Sequence, residues 1–439
     1  MTQPNLEQSK IAFTTLGCRV NQYDTQVLKE RLEEASFLSV PFHDRADVYV
    51  INTCTVTAAA DAEGRLLVRR AKAQNPESFV VVTGCLATDR PEEVASLPGV
   101  DLVVSNSDKA SLLYKIRQAK PGFGGVGLNV IGSKDPWGGG ITRFDGHQRA
   151  TVKVQDGCHF GCSFCLIPRV RGEMVSRPQE EILAEGRRLA ERGVKELVLA
   201  GIQLSSYGRD WGMKTSEPRL APVIQNLLKI PGIRRVRLSS YAVADFEDAL
   251  LPLWKDESGL CPHLHLPLQS GDEGILKAMR RPYTLERYQQ TLEKARRAAP
   301  QLGLTGDILA GFPGETEEAF QNTLHAIEVM DYIDFHPFPY SDRPDTPGEG
   351  LTPKVDSKTL HDRMGRLKTL KNQCLEKAAR KALEKEVRVI AERYDDQNFS
   401  GLTDQGLRVV FAKSADWLGK EVRLRVTGFG EGAAFGEKI

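Results

Sequence analysis

At 439 residues, with 41% apolar and 27% charged residues and a formal net charge of +1, the chain is too long for one hydrophobic core and has an ordinary globular composition. No apolar run is long enough to cross a bilayer, and the start, MTQPNLEQSKIAF, lacks a basic region followed by an apolar stretch, so neither a membrane protein nor a secreted one is expected. A cytoplasmic location follows, where eight cysteines serve metal binding, catalysis or packing rather than disulfides.

The first hundred residues alternate β-rich runs with helical patterns: IAFTTLG before DTQVLKERLEEA, VYVINT before ADAEGRLLVRRAKAQ, and FVVVTG before RPEEVASL. This predicts βαβ units around a parallel sheet within residues 1–120. Residues 121–147, with nine glycines between Pro121 and Gly146, read as a Gly-rich linker. A second βα series then runs through TVKVQDG, ELVLAG, RRVRLSS, HLHLPL, LTGDILAGFP and YIDFHPFPY. Six such units predict a partial (β/α)6 barrel over 148–384, with catalytic residues on the rim formed by the carboxyl ends of its strands. Its last part is a basic helix from about Asp356 to Leu383. Residues 354–388 hold eleven Lys or Arg against five Asp or Glu, either a solvated helix face or a phosphate-binding surface. Residues 385–439, with VRVIAERY, GLRVVFA and EVRLRVTGF, predict a small β-barrel. The fold class is α/β.

Six cysteines carry the chemistry. DGCHFGCSFCLIPRVRG places Cys158, Cys162 and Cys165 directly after the first strand of the second series. Soft thiolates favour iron–sulfur clusters or zinc, and a closed site of either kind uses four protein ligands. Three ligands leave one position open. His159 inside the motif reads as a packing residue and Phe164 as a shield against solvent. Cys18, Cys54 and Cys85, in TLGCRVNQYD, INTCTVTAAA and VTGCLATD, each follow an apolar strand and precede a helix. In a parallel sheet all three emerge at the edge formed by the carboxyl ends of the strands, as a second three-thiolate set or as three small buried residues. Gly17 and Gly84 beside them allow close backbone approach. Cys261 and Cys374 have no such context and read as structural.

The segment around Cys158, Cys162 and Cys165 closely resembles the signature of radical-SAM enzymes, in which the open iron of a [4Fe-4S] cluster binds S-adenosylmethionine. Together with HLHLPLQSGDEGILKAMRRPYT at 263–284, GDILAGFPGETEEAF at 306–320 and FPYSDRPDTPG at 338–348, the chain resembles the methylthiotransferases over nearly its whole length. The resemblance implies two [4Fe-4S] clusters and S-adenosylmethionine as cofactors, and a carboxyl-terminal TRAM-like barrel. It further implies a tRNA anticodon stem-loop as partner, a sulfur source, an electron donor and no membrane. Gln269, Asp307, Gly311, Gly314 and Glu315 become candidates to border the cofactor pocket, although GFPGET also reads as an ordinary strand-to-helix turn. TTLGCRVNQYDTQ and INTCTVTAAAD, with Thr55 after the second cysteine, look like the branch that modifies C2 of N6-threonylcarbamoyladenosine. The alternatives are the branches acting on isopentenyl-adenosine or on a ribosomal-protein aspartate, and, in another class, a non-enzymatic iron–sulfur RNA-binding sensor.

Overall fold

The strands of the first βα series are continuous apolar runs, which suits a sheet covered on both faces. The computed structural model describes residues 9–121, 123, 137–214, 216–255, 259–414, 417–430 and 432–439, so most of the predicted linker at 121–147 lies outside the described residues. The chain forms two units, Met1–Thr142 with Leu166–Glu173, and Arg143–Cys165 with Met174–Ile439.

In the first unit, β1 (Lys10–Thr15), β2 (Leu38–Val40), β3 (Val48–Thr53), β4 (Phe79–Gly84) and β5 (Leu102–Val104) form an all-parallel sheet in the order β2-β1-β3-β4-β5. Every residue of β3 and β4 is buried. Val48, Val50 and Val81 pack against Leu28 and Leu32 of α1 (Arg19–Glu34) and Ile116 of α5 (Leu112–Ala119). Tyr49, Ile51 and Val82 face the other way, onto Leu67 and Val68 of α2 (Ala58–Gln74) and Leu86 of α3 (Cys85–Asp89). The short helix α6 (Ile167–Arg171), which follows Cys165 in sequence, packs here against α3.

The second unit holds the six predicted strand positions. Strands β6 (Arg149–Asp156), β8 (Glu196–Gly201) and β9 (Arg235–Leu238) pair in parallel. Parallel bridges then lead from β9 to β10 (His263–His265), which pairs with β11 (Gly303–Thr305), and Gln269 bridges to β12 (Asp307–Ala310), which pairs with β13 (His336–Pro339). The single expected strand LTGDILAGFP is therefore two, parted at Gly306, where a Cβ would lie 2.3 Å from the Leu266 carbonyl oxygen. The carboxyl-terminal β-rich region is a six-stranded, mostly antiparallel sheet built on Val389, Phe399, Val409, Phe411 and Leu424.

Where that region meets the barrel decides its role. Arg149, Glu196 and Arg235 are the first residues of β6, β8 and β9. Arg235 and Arg237 both bind Glu196, at 2.6 and 2.8 Å, and reach onward to the turn around Asp404. Arg235 binds Asp404 at 2.6 Å and the Leu402 carbonyl at 3.1 Å, and Arg237 donates to the Thr403 carbonyl at 2.9 Å. Arg149 pairs with Glu392 at 2.9 Å. Residues 385–439 therefore cap the amino-terminal ends of the barrel strands, opposite the rim that carries Cys158.

The basic helix is present as α13 (Ser357–Ala382). Much of its charge meets acids of the barrel: Arg363 with Glu315, Arg366 with Glu317, Lys371 with Asp334, and Lys377 and Lys381 with Asp331. The local cationic excess seen in the sequence is thus largely cancelled within the fold, which weakens the reading of this segment as a phosphate-binding surface. Among the described residues no helix is long and apolar enough to cross a membrane.

Two outcomes follow from the capping network. Burial alone would raise the Glu196 carboxyl, but Arg237, Arg235 and Arg149 hold it at about 2. A depressed carboxyl contributes stability that is fully present above the ordinary carboxyl range and is lost as pH falls towards 2. Glu196→Gln should cost about 3–5 kcal/mol at neutral pH, by leaving the buried Arg237 without a carboxylate and Arg235 with Asp404 alone, and should flatten the acid limb of a denaturation series. Truncation after residue 384 should lower the melting temperature of the barrel itself, because it removes the acceptors of Arg235 and Arg237; a barrel of unchanged stability would contradict this.

Candidate functional site

Parallel strands that end in register deliver whatever follows them to one edge. Thr15 pairs with Asn52 and Thr53 with Gly84 across the adjacent strands β1, β3 and β4. Cys18, Cys54 and Cys85 leave the sheet within three residues of those ends. Cys18 caps α1 and is exposed, whereas Cys54 and Cys85, the latter opening α3, are buried. Burial pushes the Cys54 thiol up to about 12, and Cys85 and Cys18 lie close enough to raise it further. Gly17 has φ +88°, and a Cβ there would sit 2.7 Å from the Cys54 Sγ, so only glycine leaves that thiol its place. Gly84, at φ +98°, would likewise thrust a Cβ to 2.3 Å from the Thr53 carbonyl oxygen.

Two buried asparagines, not singled out from sequence, fasten these turns. Asn21 donates to the Leu16 and Thr53 carbonyls, both at 2.9 Å, and Asn52 donates to the Asn21 carbonyl and the Thr25 hydroxyl. Their signal was a polar residue on an otherwise buried face, three residues after one cysteine and two before another. Arg171 of α6 binds Asn21 and, at 2.9 Å, Asp24, which also binds Lys109 at 3.0 Å. Asn106 donates to the Cys85 Sγ at 3.7 Å and to the Val170 carbonyl at 2.8 Å.

In the second unit the loop after β6 carries Cys158, Cys162 and Cys165. The Cys158 Sγ lies 2.8 Å from Gln203 Oε1, and the Phe160 N–H points at the same sulfur at 3.4 Å. Burial pushes Cys158 up to about 11, with Cys162 adding to the rise. Arg281 donates to the Cys162 Sγ at 3.1 Å, and the Cys165 N–H closes a turn onto the Cys162 carbonyl. His159 is exposed and lies against Met174 and the Phe160 ring, a packing position. Each of the three further segments that carry the family resemblance meets this loop. Ser163 N–H donates to Met279 O at 3.0 Å, Gly348 N–H donates to Ser163 O at 2.6 Å, and Phe164 packs edge-on to Phe312 at 6.3 Å.

The five other candidates are placed less directly. Gln269 adopts φ +65° and its backbone ties β10 to β12 through Asp307 and Leu309. Asp307 lies 3.3 Å from His265 Nε2. Gly311 and Gly314 have positive φ, Gly314 donating to the Pro353 carbonyl and Gly311 to Glu315. Glu315 Oε2 also binds the buried Arg363 at 2.7 Å, while its Oε1 is buried without a hydrogen-bond partner among the described residues. Burial pushes the Glu315 carboxyl up despite the Gly311 N–H and Arg363.

A raised thiol does not mark a ligand, because burial pushes Cys261 and Cys374 up to about 11 as well. The other six differ in placement: Cys18, Cys54 and Cys85 follow the ends of three adjacent strands, and Cys158, Cys162 and Cys165 share one loop. Among the described residues no three Cys, His, Asp or Glu groups converge on the position of a single metal ion. Three soft donors on one loop, with N–H groups aimed at their sulfurs, do fit an iron–sulfur cluster.

A three-thiol loop on the carboxyl rim of a partial (β/α) barrel is the arrangement of a radical-SAM enzyme. Residues 152–327 match the Radical SAM superfamily, and residues 10–105 match a family described as Uncharacterized protein family UPF0004. The chain is 36% identical over 425 residues to the threonylcarbamoyladenosine tRNA methylthiotransferase MtaB of Bacillus subtilis, covering 95% of this chain and 93% of that one. It is 38% identical over 409 residues to the protein of the same name from Aquifex aeolicus, covering 91% and 98%. The chain belongs to the methylthiotransferase family. Among solved structures it is similar in fold to the radical S-adenosylmethionine methyltransferase TsrM of Kitasatospora setae, with TM-score 0.53 and 16% identity over 78% of this chain and 77% of that one.

Glu315→Ala should cost about 3–5 kcal/mol, because Arg363 is left buried without its carboxylate; urea denaturation measures the loss, and a variant as stable as the parent would contradict the pairing.

Proposed function

We propose that the protein is a tRNA methylthiotransferase that installs a methylthio group at C2 of N6-threonylcarbamoyladenosine beside the anticodon, using two [4Fe-4S] clusters and S-adenosylmethionine. The observation that carries this is the pair of three-cysteine turns, one at the ends of β1, β3 and β4 and one after β6. The C2–H bond of adenine is not acidic and bears no leaving group, so general acid–base or nucleophilic attack has no handle on it and radical chemistry is required. Cys158, Cys162 and Cys165 would hold a cluster that, once reduced by an external electron donor, would pass one electron to bound S-adenosylmethionine and so supply a carbon-centred radical.

The chain's own residues do the rest. Cys158, Cys162 and Cys165 supply thiolates and leave a fourth position for the small molecule, while Phe164, Phe312 and Tyr340 pack beside the loop and limit water there. Cys18, Cys54 and Cys85 would hold the second cluster, where the sulfur to be methylated and transferred binds. Asn21 and Asn52 fix the spacing of the turns that carry those thiols, Gly17 leaves the Cys54 thiol its place, and Gly84 lets its turn lie against the Thr53 backbone. A base beside the anticodon lies in a loop, where it can be unstacked and read on its edges.

Cys54→Ala should keep reductive cleavage of S-adenosylmethionine and lose methylthio-nucleoside, read by mass spectrometry of tRNA digests from reactions with purified protein. Methylthio product at the parent's level would sink the two-cluster reading. A thiomethylated ribosomal protein in place of modified tRNA would identify the aspartate-modifying branch, and cluster without any cleavage would identify a sensor.

A further inference from the structure

Several buried cations in this fold are matched to carboxylates: Arg235 and Arg237 to Glu196, Arg363 to Glu315, Lys109 to Asp24. Arg281 is different. Its guanidinium donates through Nη1 to the Cys162 Sγ at 3.1 Å and through Nε to the Tyr283 hydroxyl at 3.3 Å, and lies 5.0 Å from the centre of the Tyr283 ring. It forms no ion pair with a carboxylate among the described residues. Its position is set on every side. Tyr283 is buried with its hydroxyl on the Pro267 and Leu268 carbonyls at 2.9 and 2.8 Å, and the Arg281 N–H is bound to the Leu276 carbonyl at 2.9 Å. The Ser163 N–H and hydroxyl bind the Met279 and Ala278 carbonyls at 3.0 and 2.9 Å, which locks the cysteine loop to the segment that presents Arg281. Arg281 is half-buried, and the partner of anionic character that this geometry offers its guanidinium is the sulfur of Cys162, which becomes a thiolate when it binds metal.

We propose that Arg281 is a positioning residue for the radical-generating centre, its N–H and charge directed at the Cys162 sulfur so that the cluster held there is easier to reduce. Hydrogen bonds and positive charge at a ligand sulfur favour the more negative, reduced cluster and raise its potential. The inference rests on the radical-SAM reading of the Cys158 loop.

The test uses the full-length chain carrying Cys18→Ala, Cys54→Ala and Cys85→Ala, so that iron binds at one place only. The reduction potential of its cluster is measured by electron paramagnetic resonance at poised potentials, before and after adding S-adenosylmethionine, with iron and sulfide counted in each sample. Adding Arg281→Met should shift the potential to a lower value already without S-adenosylmethionine, at undiminished iron, and Arg281→Lys should recover part of the shift. An unshifted potential together with weakened S-adenosylmethionine binding would overturn the proposal and make Arg281 a ligand for the small molecule's carboxylate. If the methionine protein assembles no cluster, Arg281→Gln takes its place, with an intermediate potential expected; loss of iron in both would overturn the proposal in favour of a purely structural anchor. A triple-alanine parent with no cluster that responds to S-adenosylmethionine would instead remove the radical-SAM reading itself.

Discussion

Parallel strands end together, and in each unit of this chain that constraint brings thiol-bearing turns to the rim of a sheet. In the first unit the three turns come from neighbouring strands, so their separation is set by inter-strand spacing and by Asn21 and Asn52, whose amides tie one turn to the next. In the second unit one loop carries all three thiols, and distant segments at Met279, Phe312 and Gly348 hold its shape. The first arrangement depends on the whole sheet, the second on local spacing braced from outside. A disturbance of β3 would spread to two cysteine turns, whereas one near Met279 would reach the loop through a pair of hydrogen bonds to Ser163.

Much of this was legible in the sequence because it is periodic or closely spaced. Alternating apolar runs and helical patterns set the class of both units, and C-x-x-x-C-x-x-C directly after a strand marked a thiolate site, its radical-SAM character coming from the family resemblance. The three dispersed cysteines were legible through shared context, strand before and helix after. What stayed hidden depends on contacts between residues far apart in the chain. Arg235 and Asp404 are 169 residues apart. Nothing local to either says that the carboxyl-terminal region would cap the barrel. The same holds for α6, whose Arg171 meets Asn21 across 150 residues. The sequence also overstated the basic helix, since a count of charge along one segment omits acids such as Asp331 and Asp334 that fold against it.

Charged residues in the interior divide by what they answer to. Arg363 answers to Glu315, and that pair fastens α13 to the turn after β12. Arg281 answers to a sulfur. Glu315 and Arg281 both sit in segments that the family resemblance picks out, so motif membership alone does not separate a residue that supports the fold from one that addresses the chemistry. The partner does.

The two ends of the barrel illustrate the same division on a larger scale. At the amino-terminal ends of the strands, Arg149, Glu196, Arg235 and Arg237 form a buried ionic cluster with Glu392 and Asp404. Such clusters repay their desolvation poorly and would often be bettered by apolar packing of the same volume. Their geometry, however, admits one arrangement of partners, so this one fixes how residues 385–439 sit on the barrel. The opposite rim, released from that duty, carries glycines of positive φ at Gly311 and Gly314, the half-buried Cys165 and polar groups directed at sulfur.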